Sequence, residues 1–329
     1  MRTNAVRPPA RKRFGQHFLE AVWADKVVAA IDPQPHEVFL EIGPGPGAIT
    51  RRLAEKCAAL VACEIDRDLA TALRNEHLPR VHILEGDFLT MSVDRLREAL
   101  TADTDASVPC VSAVPDGSAA PAMAAAPRAS ASPAASALAA GPGATAAPLS
   151  FPSPPPPAPT YRVAGNLPYN VASPIMFRLI ELARQGLPIV DATIMLQREV
   201  ADRLLAAPGT REYGLLSVLI GHRASIARRL NLPPGAFRPA PKVHSTVVTL
   251  TFHAPDPPVA NESVLAGMTA AVFSQRRKTL GNALQAYAIT PRLASTLLAE
   301  SGVDSRRRPE TLSVSELCRI ANNFTVLQS

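Results

Sequence analysis

The sequence is poor in aromatic residues, poor in cysteine and without a long apolar run, and each shortage removes a class of protein. Aromatics make up 5% of the chain and there is one tryptophan. The four cysteines, at 57, 63, 110 and 318, show no paired metal-ligand spacing, so neither a zinc site nor a disulfide framework is indicated. No stretch is long and apolar enough to span a bilayer, and no apolar signal core follows the basic N-terminus. The expected setting is soluble and cytoplasmic, with no metal and no membrane partner. Acidic residues are also outnumbered, 28 against 34 Lys and Arg, for a net charge of +6. The cations cluster: Arg2, Arg7, Arg11, Lys12 and Arg13 open the chain with no acid among them, and Arg228-Arg229, Arg276-Arg277-Lys278 and Arg306-Arg307-Arg308 follow. One cluster is ordinary solvated surface, but several together suit phosphate contacts.

Residues 101 to 160 lack what a core needs: 33 of the 60 are Ala or Pro, four are charged and one is aromatic. We read them as a disordered insertion in a folded domain, ending in the extended run Pro154-Pro155-Pro156-Pro157. A docking segment for a partner is the functional alternative. On either side, short β-branched runs alternate with helical stretches. Val38 to Ile42, Ala59 to Ile65, Val81 to Leu84, Arg162 to Ala164 and Ala192 to Leu196 read as strands of a doubly wound parallel sheet. Val243 to Phe252 reads as a long alternating strand, and residues 261 to 329 show only helical periodicity. In such sheets ligands collect at the C-terminal strand ends, where Gly43, Glu64, Asp87 and Asn166 fall.

Glu41-Ile42-Gly43-Pro44-Gly45-Pro46-Gly47 lies between a strand and a helix, and its glycines let the backbone approach a ligand closely. Gly43, Gly45 and Ala48 also satisfy a dinucleotide fingerprint, with Glu64 placed as its ribose-binding acid, so an oxidoreductase is one reading. The second carboxylate, Asp87, favours a nucleoside without phosphates. Glu64 can hold the ribose hydroxyls of S-adenosyl-L-methionine while Asp87 accepts from its adenine amine. Either acid alone could simply cap the next helix. Gly165-Asn166-Leu167-Pro168-Tyr169 then sets an amide acceptor, a rigid proline and an aromatic face on one turn, the elements needed to grip an extruded adenine. Its plain alternative is a strand-to-helix turn with Tyr169 packed inward.

With these pieces assembled, the chain resembles the ribosomal RNA adenine dimethyltransferase family, and within it the bacterial small-subunit branch. The likeness covers almost everything outside 101 to 160. It rests on Arg13 to Leu19, the glycine turn, Glu64, Gly86-Asp87, Gly165 to Tyr169, Phe237 to Ser245 and Phe273 to Leu280, in shared order and spacing. The resemblance implies an S-adenosyl-L-methionine-dependent N6,N6-dimethylation of two adjacent adenosines in a loop near the 3′ end of small-subunit rRNA. Asn166, Leu167, Pro168 and Tyr169 would carry the chemistry. His17, Leu19, Gly43, Glu64, Asp87 and Asn166 would hold the cofactor, with His17 standing where relatives often carry Asn. Phe237 would offer the base a second aromatic face opposite Tyr169, or else plug the core. Arg276, Arg277 and Lys278 would bind RNA, and the partner would be rRNA in an immature small subunit, met by a monomer. The implied fold is a doubly wound Rossmann-like α/β sheet with a small C-terminal all-helical domain. Its parts are a basic tail at 1–10, a methyltransferase domain at 11–253 broken by the insertion at 101–160, and a helical RNA-binding domain at 254–329. A large-subunit methylase conferring antibiotic resistance and a non-catalytic assembly factor are the rival readings.

Overall fold

The computed structural model describes residues 17–105, 160–287 and 289–328. The tail at 1–10, the motif residues 13–16 and the insertion from 106 to 159 lie outside the described residues. In chain order the elements begin with β1 (Phe18–Leu19), α1 (Ala21–Ile31), β2 (Val38–Ile42), α2 (Thr50–Ala54), β3 (Ala59–Glu64), α3 (Arg67–Asn75), β4 (Val81–Glu85) and α4 (Val93–Asp105). They continue with β5 (Tyr161–Asn166), α5 (Ala172–Arg184), β6 (Ile189–Gln197), α6 (Arg198–Leu204), α7 (Leu215–Gly221), β7 (Ala224–Leu232), β8 (Phe237–Arg238) and β9 (Ser245–Phe252). After these come α8 (Glu262–Ser274), α9 (Leu280–Ala283), α10 (Pro291–Glu300) and α11 (Val314–Gln328). Helix α4 runs to Asp105, so the compositional break at 101 begins inside a helix.

Seven strands form one sheet in the order β4-β3-β2-β5-β6-β9-β7. The first five are mutually parallel, and β9 runs antiparallel to both of its neighbours. The five strands that the sequence pattern marked as parallel are so, and the sheet becomes mixed at the side where β9 and β7 join it. Both faces are covered. Val38, Leu40 and Ile42 of β2 join the core beneath α4 and α5, while Phe39 joins the opposite core with Val27, Val28 and Leu53. This explains why β2 and β3 read as continuous apolar runs. Strand β9 also departs from its expected alternation: it starts at Ser245, and its first six residues are all buried. An interior strand covered on both sides has no solvent face to pattern.

The chain winds from β2 out to β4, then returns to β5 on the other side of β2. That reversal places the switch point, where ligands bind in such sheets, between the turns after β2 and β5. Gly165 lets these strand ends meet, because a Cβ there would lie 2.8 Å from the Ile42 carbonyl oxygen. The helices after β9 build a further core around Leu265, Met268, Leu297 and Ile320, and it also takes Tyr213 and Val218 from residues ahead of β7. The boundary expected at 253/254 is thus crossed by buried contacts. Among the described residues no helix is long and apolar enough to cross a membrane.

Candidate active site

Two hollows open at the switch point, sharing Gly43, Ile65 and Pro168. One, of about 720 Å³ of empty space, is lined by His17, Leu19, Glu41, Gly43, Glu64 and the Asn166 to Tyr169 turn, among others. The other, of about 750 Å³, holds Asp87 with Phe88, Leu89 and Ile175.

The glycine turn enters the site through left-handed backbone: Gly43 has φ 69° and Gly45 φ 56°, which side-chain-bearing residues adopt at a cost. This curl aims the Gly45 N–H at Glu64 Oε2 (2.9 Å), while Oε1 accepts from Asp66 N (2.8 Å). Burial pushes the Glu64 carboxyl upward and the two amides pull it back. Asp87 Oδ1 likewise accepts from Leu89 N at 3.0 Å. Both carboxylates thus bond locally, as the plain turn reading required, and both still line the hollows.

Sequence reasoning missed Glu41, treating it as part of a strand end. It is 1% exposed, lines the first hollow, and its Oε2 has no hydrogen-bond partner. Burial, reinforced by the Glu64 charge, pushes its carboxyl up to about 8. The nearby Thr50 hydroxyl works the other way, though without a well-formed hydrogen bond. A glutamate inside the run Val-Phe-Leu-Glu-Ile was the available signal, since an acid is seldom fully buried without a partner.

Asn166 ends β5, and its Nδ2 donates to the His17 carbonyl oxygen at 3.0 Å. That bond fixes the amide orientation and leaves Oδ1 as the acceptor. Leu167 is buried, with its N–H donated to the Met195 carbonyl (3.3 Å), and the Pro168 carbonyl takes Val171 N (3.1 Å), so the turn is held from both sides. Tyr169 is half-buried, and its hydroxyl shares a 2.7 Å hydrogen bond with Ser245 Oγ. His17 and Leu19 reach the site through a two-residue ladder in which Phe18 pairs with Arg238 and Leu19 with Phe237.

Phe237 is placed elsewhere. It is fully buried, in the core with Leu19, Val27 and Phe39, because the ladder to Leu19 turns its ring inward. The expectation that it faces the base does not hold here; it is the core plug. Arg277 and Lys278 are exposed beyond α8, while Arg276 is half-buried and donates to the Arg211 carbonyl at 2.9 Å. The Arg306 to Arg308 triplet is split, for Arg307 turns in to pair with Glu316. Arg228 pairs with Asp202, and Arg229 bonds Thr249 Oγ1.

The donor set can be tested against its ligand. Glu41, Glu64 and Asp87 line the two hollows and, among the described residues, no Lys or Arg does. A pyrophosphate would meet acids and no cation, whereas a nucleoside carrying a sulfonium and an ammonium group fits. Among the described residues no grouping of three or more His, Cys, Asp and Glu side chains could hold a metal ion.

Comparison with known proteins agrees with this geometry. A family model described as ribosomal RNA adenine dimethylase matches residues 8–325. Ribosomal RNA small subunit methyltransferase A of Salmonella typhimurium is 34% identical over 317 residues, covering 95% of this chain and 92% of that protein. The protein of the same name from Aromatoleum aromaticum is 35% identical over 316 residues, covering 95% and 93%. Among solved structures, a dimethyladenosine transferase from Plasmodium falciparum superposes with a TM-score of 0.62 at 18% identity, over 94% of this chain and 98% of that one. The 23S rRNA methyltransferase ErmE does so at 0.55 and 20%, over 94% and 99%. Those two likenesses concern the fold. The sequence matches go further: this chain is a methyltransferase belonging to the ribosomal RNA adenine dimethylase family.

Proposed function

We infer that the chain transfers methyl groups from S-adenosyl-L-methionine to N6 of two adjacent adenosines in a hairpin loop near the 3′ end of small-subunit rRNA. The observation that carries this reading is the Asn166 carboxamide, oriented by the His17 carbonyl with its oxygen left to accept and with the half-buried Tyr169 ring three residues on. Relatives at 34 and 35% identity named for the small subunit favour it over the large-subunit reading. When bound, the donor supplies an electrophilic methyl carbon. The protein's work is then to hold and aim the amine. Asn166 Oδ1 accepts an N–H of the adenine amine, and the Tyr169 ring, steadied by Ser245, stacks on the base. An acceptor on that amine favours a nitrogen with its lone pair free, and the bond strengthens as positive charge develops there. Loop bases are already partly unstacked, so extrusion costs less. The exposed Arg277 and Lys278, with Arg276, would meet the RNA backbone.

On the cofactor side, Gly43 gives close backbone approach, Glu64 and Asp87 accept from the nucleoside, His17 and Leu19 close the site, and Glu41 would take the donor's ammonium group. The free enzyme should therefore lose stability as pH rises from about 4.5 to about 8, because folded Glu41 keeps a proton that the unfolded chain has shed. Chemical denaturation at pH 6 and pH 9 should show this slope in the wild type and a flatter one in Glu41→Gln. At pH 7, donor binding should release close to one proton, and none in the variant. Calorimetry in buffers of different ionisation heat reads that difference, and equal release from both proteins would remove Glu41 from the cofactor site.

Primer extension on both rRNAs from a deletion strain tests the whole reading. Loss of the stop at the small-subunit loop is the expected result. Loss only in the large subunit, or unlabelled immature small subunits after incubation with enzyme and radiolabelled donor, would overturn it.

A further inference from the structure

The face of Tyr169 is already covered. The His17 imidazole stacks on the Tyr169 ring with centroids 5.6 Å apart and planes 28° from parallel. It is tied there at a second point, since its Nδ1 donates to the Pro239 carbonyl oxygen at 2.7 Å. The tyrosine ring is held as well, through its hydroxyl on Ser245. A base lying between two rings needs a stacking gap on each of its faces, which two rings already in direct aromatic contact do not leave. At 5.6 Å the pair is closed to a nucleobase. Phe237 supplies no alternative face, being fully buried.

We propose that the His17 side chain is a placeholder for the substrate base: it occupies the stacking face of Tyr169 in the free enzyme, and the extruded adenine enters by displacing it. This rests on the base-slot reading of Asn166 and Tyr169 given above. The main chain of His17 keeps its own task, because the carbonyl that orients Asn166 is not part of the ring that leaves. His17 is thus a positioning residue with a bearing on specificity. A base must regain by stacking more than the imidazole surrenders, which a purine with its larger face does more readily than a pyrimidine.

The test separates RNA binding from donor binding. In the full chain at saturating donor, His17→Ala should lower KM for small-subunit rRNA by about 2- to 10-fold, the scale of one aromatic pair, with donor Kd read separately because His17 also helps close the cofactor site. His17→Phe restores a covering ring and should bring KM back towards or above the wild-type value. A hairpin RNA carrying 2-aminopurine at the target position should brighten more on binding His17→Ala than on binding wild type. A raised KM in His17→Ala would mean the imidazole is a second stacking wall, and equal KM in all three proteins would mean it covers nothing the base uses; either result overturns the proposal. If Tyr169→Ala and Asn166→Ala retain full methyl transfer, the base slot itself is misplaced. If those two fail while the His17 variants match wild type, the placeholder alone is wrong.

Discussion

Asn166→Ala is expected to lower kcat for methyl transfer by about 100- to 1,000-fold, with rRNA affinity changed only a few-fold. The side chain has two ends with two duties. Its Nδ2 is committed to the His17 carbonyl, so Oδ1 is the free end, which on the proposed reading meets the amine of the base. Alanine removes the acceptor at the position where positive charge develops, and such interactions weigh on kcat rather than on ground-state binding. RNA affinity is spread over many phosphate contacts and should barely register one missing amide. Single-turnover transfer beside filter binding measures both. Parallel collapse of binding and transfer would show that Asn166 holds the N-terminal segment in place and does not serve the reacting amine.

The second large effect concerns folding. Arg162, early in β5, donates through Nε to both oxygens of Asp191 (3.1 and 3.0 Å), through Nη1 to Glu37 (2.8 Å) and the Asp32 carbonyl (3.2 Å), and through Nη2 to the Ile31 carbonyl (2.9 Å). It also lies over the Phe39 ring at 5.2 Å. One guanidinium thus ties α1, β2, β5 and β6 together at the end of the sheet away from the site. Its side chain is 14% exposed and those of Glu37 and Asp191 are 19% exposed. Removing it leaves two poorly solvated carboxylates facing each other. Arg162→Met should destabilise the fold by about 2–4 kcal/mol near neutral pH, somewhat below the usual range for a fully buried pair because water still reaches this one. The sign with pH follows from the carboxylates. Burial already pushes Asp191 upward and Arg162 pulls it down, so without the arginine its folded pKa rises further above the unfolded value. Stability lost at pH 7.5 should then partly return as the pH falls through that range and the acids protonate. Urea denaturation of both proteins at pH 5 and pH 7.5 reads the difference, and a deficit that grows on acidification would contradict this account.

The elements legible in the sequence share a physical trait: they are locally periodic or chemically marked. The parallel strands could be read because both faces are buried and their ends carry acids or glycines, and the turn at Asn166 because amide, proline and ring stand together. What escaped was set by distant partners. Strand β1 is two residues long and pairs with β8 across most of the chain, so no local pattern announces it. Strand β7 is exposed at most positions on the sheet edge, and its Arg228-Arg229 pair reads as a cation cluster. Phe237 belongs to the same motif whether its ring faces the site or the core, and only the ladder to Leu19 decides. Glu41 was hidden by the very run of apolar residues that identified its strand.

The ladder and the hydroxyl clamp have a consequence for the protein's own synthesis. The carbonyl that holds the His17 ring is made 222 residues after it, and the serine that holds Tyr169 is made 76 residues after it. A nascent chain halted before β8 would carry every glycine and carboxylate of the cofactor turn, yet have neither anchor for its two rings. The two rings of the proposed base slot are therefore fixed late in translation, and a polypeptide terminated ahead of β8 is expected to show no methyl transfer.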